Sequence, residues 1–358
     1  STVVTEHRLQ GFNPAYFTKA ERLFSYSEES FRAASRLLEE KSPPDPFFAG
    51  KLPEPEPEWR TVSLENLARF WAHPVRYLLT RRLGIRLEER EMSPSDREPM
   101  DLGKGLPRYL LESGLARYRS GGGDPDRLYP VVQASGVLPH GTPGKWTFER
   151  SWRSVDAFFR VLEDHRDGES PKFLDVDLSL GSFRLTGRVE GIYHEQALRY
   201  RVGRIRAVDR LAAWLNHLAL CAGEGASRPG KTLLAGRKVE KRKEETVFCL
   251  YRPVPDPLPL LEELLSLYWE GLQGPLPFFP ETSGAWAEAL FRKERSSGDA
   301  REAARKAWEP NGYGFPGEGE DPYLDLCFRG NLPLGEPFSF LAEKIFKPLM
   351  FFEEAGTL

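Results

Sequence analysis

The sequence is poor in cysteine and has no long hydrophobic run. Its 358 residues include three cysteines, which are far apart and form no CxxC pair. This spacing argues against a disulfide framework and against a zinc knuckle. No apolar stretch approaches the roughly 18 residues that a membrane span needs, and no signal-peptide pattern is present. We therefore expect a cytoplasmic protein that makes no membrane contact.

Positive charge is not in excess either. The 50 lysines and arginines are outnumbered by 53 aspartates and glutamates, and the formal net charge is −3. No global basic field therefore points to nucleic acid. The 30 prolines and 32 glycines are many for a helical bundle and predict numerous loops between short elements. The first residue is serine, and we expect the chain to be a piece of a longer protein.

The periodicity of apolar residues divides the chain into three parts. Residues 1–60 are expected to be an N-terminal connecting segment with one helix. Residues 61–256 form a core in which strands alternate with helices, and Pro74 should kink or split the helix that Ser63 caps. Residues 257–358 are expected to be a helical C-terminal part packed on the core. Strands flanked by helices on a short central sheet indicate an α/β fold.

The aromatic residues of the third part allow two interpretations. Aromatic side chains are enriched in protein interfaces as well as in cores. The sequence alone leaves open which of the two applies to Trp269, Phe278, Phe279 and Trp286.

Common catalytic signatures are absent or misplaced. Residues 225–232 fit the phosphate-binding pattern GxxxxGK[ST] letter for letter. However, they follow a predicted helix and precede a charged strand, and Pro229 removes a backbone donor where donors are needed. We interpret this segment as a turn. The six histidines show no HxH or HExxH spacing, and no GxSxG occurs.

The most informative segment is residues 183–206, which reads as two antiparallel strands followed by the start of a helix. Alternation places six residues on one face: Phe183, Leu185, Gly187, Val189, Gly191 and Tyr193. The segment is built like the metal-binding hairpin of a nuclease, which has a carboxylate on its first strand and an acid-x-Lys pair on its second. Here the first strand keeps Glu190 and the second has no acid.

Two further carboxylates lie on the preceding predicted strand. Asp175 and Asp177 alternate with apolar residues in FLDVDL and so share one face of that strand. They could assist Glu190 in an active site, but alternation of acidic and apolar residues is equally typical of a solvated edge strand. Without a third acid or a lysine beside them, a two-metal site is poorly supported.

Basic residues cluster in two places. The first cluster consists of Arg199, Arg201, Arg204, Arg206 and Arg210, and the second of Lys238, Lys241, Arg242 and Lys243. Such local patches could follow a phosphate backbone. For the turn at 238–245 a solvated loop of mixed charge is an equal alternative. For the arginines we favour a function, because several like charges in one short segment repel each other unless something pairs them.

Several longer segments together carry a family resemblance. They are EHRLQGFNPAYF, LFSYSEES, SLENLARFWAHPVRYLLTRRLGIRL, DLGKGLPRYLLESGLARY, LPHGTPGKWTFE, ALRYRVGRIRAVDRLAAWLNHLALCAGE, SGAWAEALF and DPYLDLCFRGNLP. In this order they resemble the C-terminal domain family of RecC, the gamma subunit of exodeoxyribonuclease V (the RecBCD helicase–nuclease). No single segment is a catalytic signature, but their joint order makes the resemblance specific.

The resemblance implies a degenerate nuclease fold. The expected core is restriction-endonuclease-like, of the PD-(D/E)XK type, with a small mixed sheet flanked by helices and with helical additions at both ends. Pro107 would stand where active relatives have a helical histidine, and Glu190 where they have the first aspartate. Val202 and Arg204, or one residue further Gly203 and Ile205, would stand in place of the acid-x-Lys pair. We therefore expect no catalytic residue, no bound metal and no cofactor.

The resemblance also implies a role. It predicts a non-catalytic module for DNA handling and subunit assembly, with RecB, RecD and duplex or forked DNA as partners, and a monomer when isolated. The candidate DNA contacts are Arg199, Arg201, Arg204, Lys238, Lys241 and Arg242. Two alternatives stay open: an active magnesium-dependent nuclease that uses Glu190 with Asp175 or Asp177, and an interaction module that makes no DNA contact.

Overall fold

A computed structural model describes residues 4–18, 23–39, 47–48, 50–87, 102, 106–166, 168–223, 230–240, 243–310, 316–329 and 332–357. The chain falls into two compact units, Ser1–Asp45 and Pro46–Leu358. The three-part division drawn from the sequence stays a prediction.

Among its described residues, the first unit contains one α-helix, α1 (Glu28–Leu38). It begins at Ser27, whose hydroxyl accepts a hydrogen bond from the Ser30 backbone N–H (3.2 Å) and so satisfies one of the free donors of the first turn. Phe31 packs edge-to-face against Phe17.

The second unit has eleven α-helices among its described residues. They are α2 (Leu64–Ala72), α3 (Pro74–Tyr77), α4 (Leu106–Ser120), α5 (Pro125–Ala134), α6 (Gly141–Glu163), α7 (Ala207–Ala222), α8 (Leu258–Gly271), α9 (Pro280–Ala287), α10 (Ser297–Trp308), α11 (Pro322–Phe328) and α12 (Glu336–Phe352). The predicted split at Pro74 is confirmed, since α2 ends before His73 and Pro74 begins α3. Within the described part of the chain, no helix has the length and apolar character that crossing a membrane requires.

The strands of the second unit form one mixed sheet. They are β1 (Thr61–Ser63), β2 (Lys172–Leu180), β3 (Phe183–Tyr193), β4 (Gln196–Tyr200), β5 (Lys231–Glu240), β6 (Lys243–Tyr251) and β7 (Glu353–Thr357). The path across the sheet is β1-β3-β4-β5-β6-β7, with β2 paired to β3. β1 runs parallel to β3 and β5 parallel to β4, whereas the other pairs are antiparallel. The predicted α/β class is confirmed, and the sheet is larger than expected because β1 and β7 join it.

The hairpin expected at 183–206 differs from the prediction. β3 pairs along its length with β2, whereas its pairing with β4 is limited to Ile192–Ala197 and Tyr193–Gln196. The second strand ends at Tyr200, before most of the residues assigned to it.

A β-bulge explains the change of face within β3. Lys172 pairs with Ile192 but Leu174 pairs with Val189, so two residues of β3 lie opposite one residue of β2. Gly191 within the bulge has φ +70°, which favours glycine. As a result Tyr193 packs on the face opposite to Val189, although strict alternation predicted the same face.

Helices cover both faces of the sheet. Leu185 and Val189 pack with residues of α2, α7 and α8 on one face. Leu198 and Ala235 pack with residues of α4 and α6 on the other. A third cluster joins α9 to α12. The four aromatic residues left open above, Trp269, Phe278, Phe279 and Trp286, are all buried and belong to the core.

A buried histidine connects α7 to the sheet. The Nδ1 atom of His217 lies 3.0 Å from the hydroxyl of Thr232, and its Nε2 atom lies 2.9 Å from the carbonyl oxygen of Arg252. The ring is fully buried, and this burial lowers the pKa of His217 to about 4, although the carbonyl of Arg252 partly opposes the shift.

Stability should therefore depend on pH through His217. The unfolded chain binds a proton at this residue near pH 6.5, whereas the folded chain binds one only near pH 4, so stability is lost as the pH falls between these values. From pH 7 to pH 5 we expect a loss of about 2 kcal/mol from this group. Urea unfolding should show a drop of this size that is missing in His217→Gln. The exposed His194→Gln serves as control, and equal pH slopes in all three proteins would contradict the assignment.

A buried ion pair attaches the C-terminal strand. Glu353, the first residue of β7, accepts hydrogen bonds from Arg210 of α7 (Nε to Oε1, 2.9 Å), from Arg292 and from the hydroxyl of Tyr251 (3.3 Å). Burial alone would raise the pKa of Glu353, but the two arginines hold it below its ordinary value.

Two neighbouring glutamates allow a matched test of this ion pair. Glu353→Gln leaves two arginines with less negative charge in a buried site, so we expect a loss of about 3–5 kcal/mol in the free energy of unfolding. Glu354→Gln removes an exposed pair with Arg252 (3.2 Å) and should cost at most about 1 kcal/mol. Urea unfolding curves measure both, and similar losses in the two variants would contradict the expected role of Glu353.

Candidate nucleic-acid interface

Glu190 lies in the bulge of β3 and is exposed. Extending the register of β3 and β4 from its last pair places Arg199 opposite Glu190. Burial lowers the pKa of Arg199, and the negative charge of Glu190 partly offsets this effect. The residue across from the remaining acid is therefore a cation.

Asp175 and Asp177 lie together on the exposed face of β2, and each is bound by an arginine of β3. Both carboxylate oxygens of Asp177 accept from Arg184 (2.8 and 2.7 Å), which lowers the pKa of Asp177. Asp175 accepts from the Nε atom of Arg188 (2.8 Å). The side chains are half-exposed or more, so these pairs are solvated surface contacts.

Arg199 and Arg201 are held by α7. The Nη2 atom of Arg199 donates to the side-chain oxygen of Asn216 (2.7 Å). Arg201 donates to the carboxylate of Asp209 (3.1 Å), and its guanidinium lies 4.6 Å from the ring centre of Tyr109. Arg204 is exposed. It has no ion pair or hydrogen bond with any residue in the described part of the chain.

A cavity of about 1080 Å³ lies where the chain leaves β4. The segment 201–203 continues along β5, since Arg201 N–H donates to the Ala235 carbonyl (2.9 Å) and Arg237 N–H donates to the Gly203 carbonyl (2.8 Å). Val202 and Arg204 line this cavity, as do Arg108 and Tyr109 from the first turn of α4. Pro107 lines a neighbouring groove instead.

Buried ion pairs in this cavity were not predicted from the sequence. Arg237 of β5 is 7% exposed and donates to Glu112 of α4 and to the hydroxyl of Ser154. Glu112 also accepts from Arg108 (2.8 Å). Arg237 and Glu112 are 125 residues apart, so no local pattern could have linked them.

The second basic cluster is only partly described. Lys238 is exposed and lines the cavity. Lys241 and Arg242 lie outside the described residues. The GxxxxGK[ST] segment is described only at its end, where Lys231 and Thr232 belong to β5 and Thr232 is buried. No helix begins there, which agrees with the interpretation that this is not a phosphate-binding loop.

The carboxylates near Glu190 do not suit a magnesium ion. Mg²⁺ requires near-octahedral oxygen ligands and is usually bound through protein carboxylates. Asp175 and Asp177 are bound by arginines, and a cation lies opposite Glu190. In the part of the chain with assigned positions, no three histidine, cysteine, aspartate or glutamate residues lie close enough to hold a metal ion.

An apolar groove of about 460 Å³ lies between α4 and α5. Leu106 and Leu110 on its α4 side are 66% and 58% exposed, and Val137 lies on the other side. Contiguous exposed apolar residues of this kind often mark protein interaction sites.

Comparison with known proteins identifies the family. Residues 59–291 match the family described as the RecC C-terminal domain. The chain is 29% identical over 336 residues to the RecBCD enzyme subunit RecC of Escherichia coli (strain K12), which covers 91% of this chain and 28% of that protein. It is 29% identical over 326 residues to the RecC subunit of Mycobacterium tuberculosis (strain H37Rv), again 28% of that protein.

A more distant relative gives the same result. The RecC subunit of Buchnera aphidicola subsp. Schizaphis graminum is 24% identical over 273 residues, which cover 74% of this chain and 24% of the relative. The chain thus spans about a quarter of the length of these relatives. Because the family match extends over more than half of its residues, the chain belongs to the RecC C-terminal domain family.

Proposed function

We propose that this chain is a non-catalytic DNA-handling and subunit-assembly module of a RecBCD-type helicase–nuclease. In this role it serves double-strand break repair by homologous recombination in the cytoplasm. The observation that carries the proposal is the family match, together with relatives named as the RecC subunit of the RecBCD enzyme. The subunit partners would be RecB and RecD, and the isolated chain would be a monomer.

The geometry around Glu190 supports the non-catalytic part of this proposal. A meander of β2, β3 and β4, a crossover through α7 and a parallel β5 are compatible with a degenerate restriction-endonuclease-like core. We propose that Pro107, Val202 and Arg204 stand where an active nuclease has its histidine, its second acid and its lysine. Extending the register of β3 and β4 adds Arg199 as a cation opposite Glu190. An arginine there would oppose metal binding, because it places a fixed positive charge beside the carboxylate of Glu190.

Nuclease activity can be tested directly. We expect no cleavage of linear duplex or single-stranded DNA by the purified chain in Mg²⁺ or Mn²⁺, with a magnesium-dependent nuclease run in parallel as positive control. Gel analysis of end-labelled DNA over several hours is the measurement. If the chain cleaves DNA, and Glu190→Ala abolishes the cleavage whereas Glu195→Ala, at a neighbouring exposed glutamate, does not, the proposal is overturned. The chain would then have an active site in which Glu190 acts with Asp175 or Asp177.

The DNA-handling part rests on the exposed cations. Arg204 and Lys238 both face the cavity and solvent. Arg199 and Arg201 are held by α7, so their contribution to DNA contact would need those bonds to be exchanged. Lys241 and Arg242, which lie outside the described residues, stay candidates.

Salt dependence tests the DNA contact. On a forked duplex, affinity should fall as salt rises, because bound lysines and arginines release counterions from the phosphates. We expect Arg204→Ala and Lys238→Ala each to reduce the slope of log affinity against log salt by about 1. Arg127→Ala, which alters an arginine with an 85% exposed side chain on α5, should leave the slope unchanged. Fluorescence anisotropy measures the affinity at each salt concentration. If neither the chain nor the intact complex binds the forked duplex at low salt, the proposed DNA contact is wrong.

The assembly part rests on exposed apolar surface. Trp269, Phe278, Phe279 and Trp286 are buried, so these four side chains are not the source of a subunit contact. The groove between α4 and α5 offers exposed leucines instead. Subunit interfaces are commonly built around such apolar centres.

A further inference from the structure

The outer side of α6 carries an exposed tryptophan. Trp146 is 54% exposed, whereas the other seven of the eight tryptophans are buried or half-buried. Tryptophan offers a large flat apolar surface with one N–H donor, and it is enriched at binding surfaces. Trp146 is therefore a candidate contact for a ligand that the chain does not itself supply.

Two arginines share this side of the helix. Arg150 and Arg153 follow Trp146 at spacings of four and seven residues, which places the three side chains on one side of α6. Both arginines are exposed, and the guanidinium of Arg150 lies 5.2 Å from the centre of the Trp146 ring. The Nε atom of Arg153 donates to the backbone carbonyl of Glu149 (3.3 Å), a contact that does not neutralise its charge.

The carboxylates nearest to these arginines along α6 are paired with other cations. Glu149 lies 4.0 Å from Lys145, and Asp156 is bound by Arg119 and Arg160 (2.7 Å each). Within the described part of the chain, no carboxylate forms an ion pair with either of the two arginines beside Trp146. Their guanidinium groups are therefore available to an anion, and an arginine fork suits phosphate oxygens.

A second exposed aromatic side chain provides a contrast. Phe340 of α12 is 59% exposed, and the Nζ atom of Lys344 lies 5.2 Å from its ring centre. That lysine is bound by Glu263 (2.9 Å), so its charge is opposed within the fold. The site at Trp146 thus differs in the unpaired charge beside the ring rather than in the distance of the cation.

An aromatic ring beside unpaired arginines suits a single strand of nucleic acid. Proteins bind single strands by stacking bases on aromatic side chains and by placing cations along the backbone. In a duplex the base faces are stacked on one another, and opening them costs free energy. Arg153 lies roughly 10 Å along the helix axis from Trp146, so a base on the ring has neighbouring phosphates near both arginines.

The surroundings of Trp146 favour a nucleic acid over a protein. Tryptophans that anchor protein interfaces lie in a central apolar area from which water is excluded. On α6, all of whose residues are described, Trp146 is the one exposed large apolar side chain. Its neighbours on the same side are charged, which complements an anionic backbone.

We propose that the side of α6 formed by Trp146, Arg150 and Arg153 binds single-stranded DNA, with a base stacked on the indole ring and phosphates bound by the two arginines. None of the three residues lines the cavity beside β4 that contains Arg204. The inference rests on the proposed DNA handling and assigns the contact with a separated strand to α6.

A strand without bases separates stacking from charge. A twelve-nucleotide thymidine strand and an abasic strand with the same number of phosphates, both labelled with fluorescein, are titrated with the full chain, and anisotropy gives their affinities. We expect the thymidine strand to bind about tenfold more tightly, the gain typical of one stacked base. Trp146→Ala should abolish this preference, Trp146→Phe should retain part of it, and the matched control Phe340→Ala should retain all of it.

Salt dependence tests the two arginines. Each phosphate contact with a single strand contributes about 0.7 to the fall of log affinity with log salt. We expect Arg150→Ala and Arg153→Ala each to reduce the slope by this amount, whereas Trp146→Ala should leave it unchanged, because stacking releases no counterion. Arg301→Ala is the control, since it alters an exposed arginine of α10 that has no ion pair in the described part of the chain.

Three results would overturn the inference. If Trp146→Ala binds the thymidine strand as the wild type does and keeps the preference over the abasic strand, α6 is not the site, although the DNA contact of the cavity stands. If Trp146→Ala binds DNA normally but assembles less well with the other subunits of the complex, this side of α6 contacts a protein. If neither the chain nor the intact complex binds any strand, the inference and the proposed DNA contact are both wrong.

Discussion

Buried arginine–glutamate pairs hold helices to the sheet, and the cavity depends on them. Glu353 joins β7 to Arg210 of α7, and Glu112 of α4 joins Arg237 of β5. Such pairs stabilise a fold only when close geometry and further hydrogen bonds offset the cost of removing two charges from water. Here each carboxylate has two arginine partners. Because the pairs lie in the walls, charged side chains form part of the cavity lining.

The same balance of charge applies to the carboxylates on the surface near Glu190. Carboxylates brought together in a nuclease site repel one another, and a divalent ion normally offsets this repulsion. In this chain Arg184 binds Asp177 and Arg188 binds Asp175. The positive charge of Arg199 interacts with Glu190. The negative charges of Asp175 and Asp177 are therefore offset by arginines of the neighbouring strand.

Local signals in the sequence were sufficient for the break at Pro74 but not for the pairing of strands. Pro74 ends one helix and starts the next because its ring fixes φ and removes a donor, which can be read from one residue. The bulge at Gly191 moves the following side chains to the other face, and strict alternation could not reveal it. The pair Glu353–Arg210 joins residues 143 positions apart, and β7 was missed for the same reason. Contacts at such separations are set by the packed fold.

Most arginines of the cluster at 199–210 have partners within the fold. Five like charges in twelve residues implied that something must pair them. The fold supplies those partners for four: Arg199 has an amide, and Arg201, Arg206 and Arg210 each have a carboxylate. A count of basic residues therefore overestimates the charge that is available to a ligand, because most of these arginines are paired with other side chains of the chain. Arg204 has no such partner in the described part of the chain.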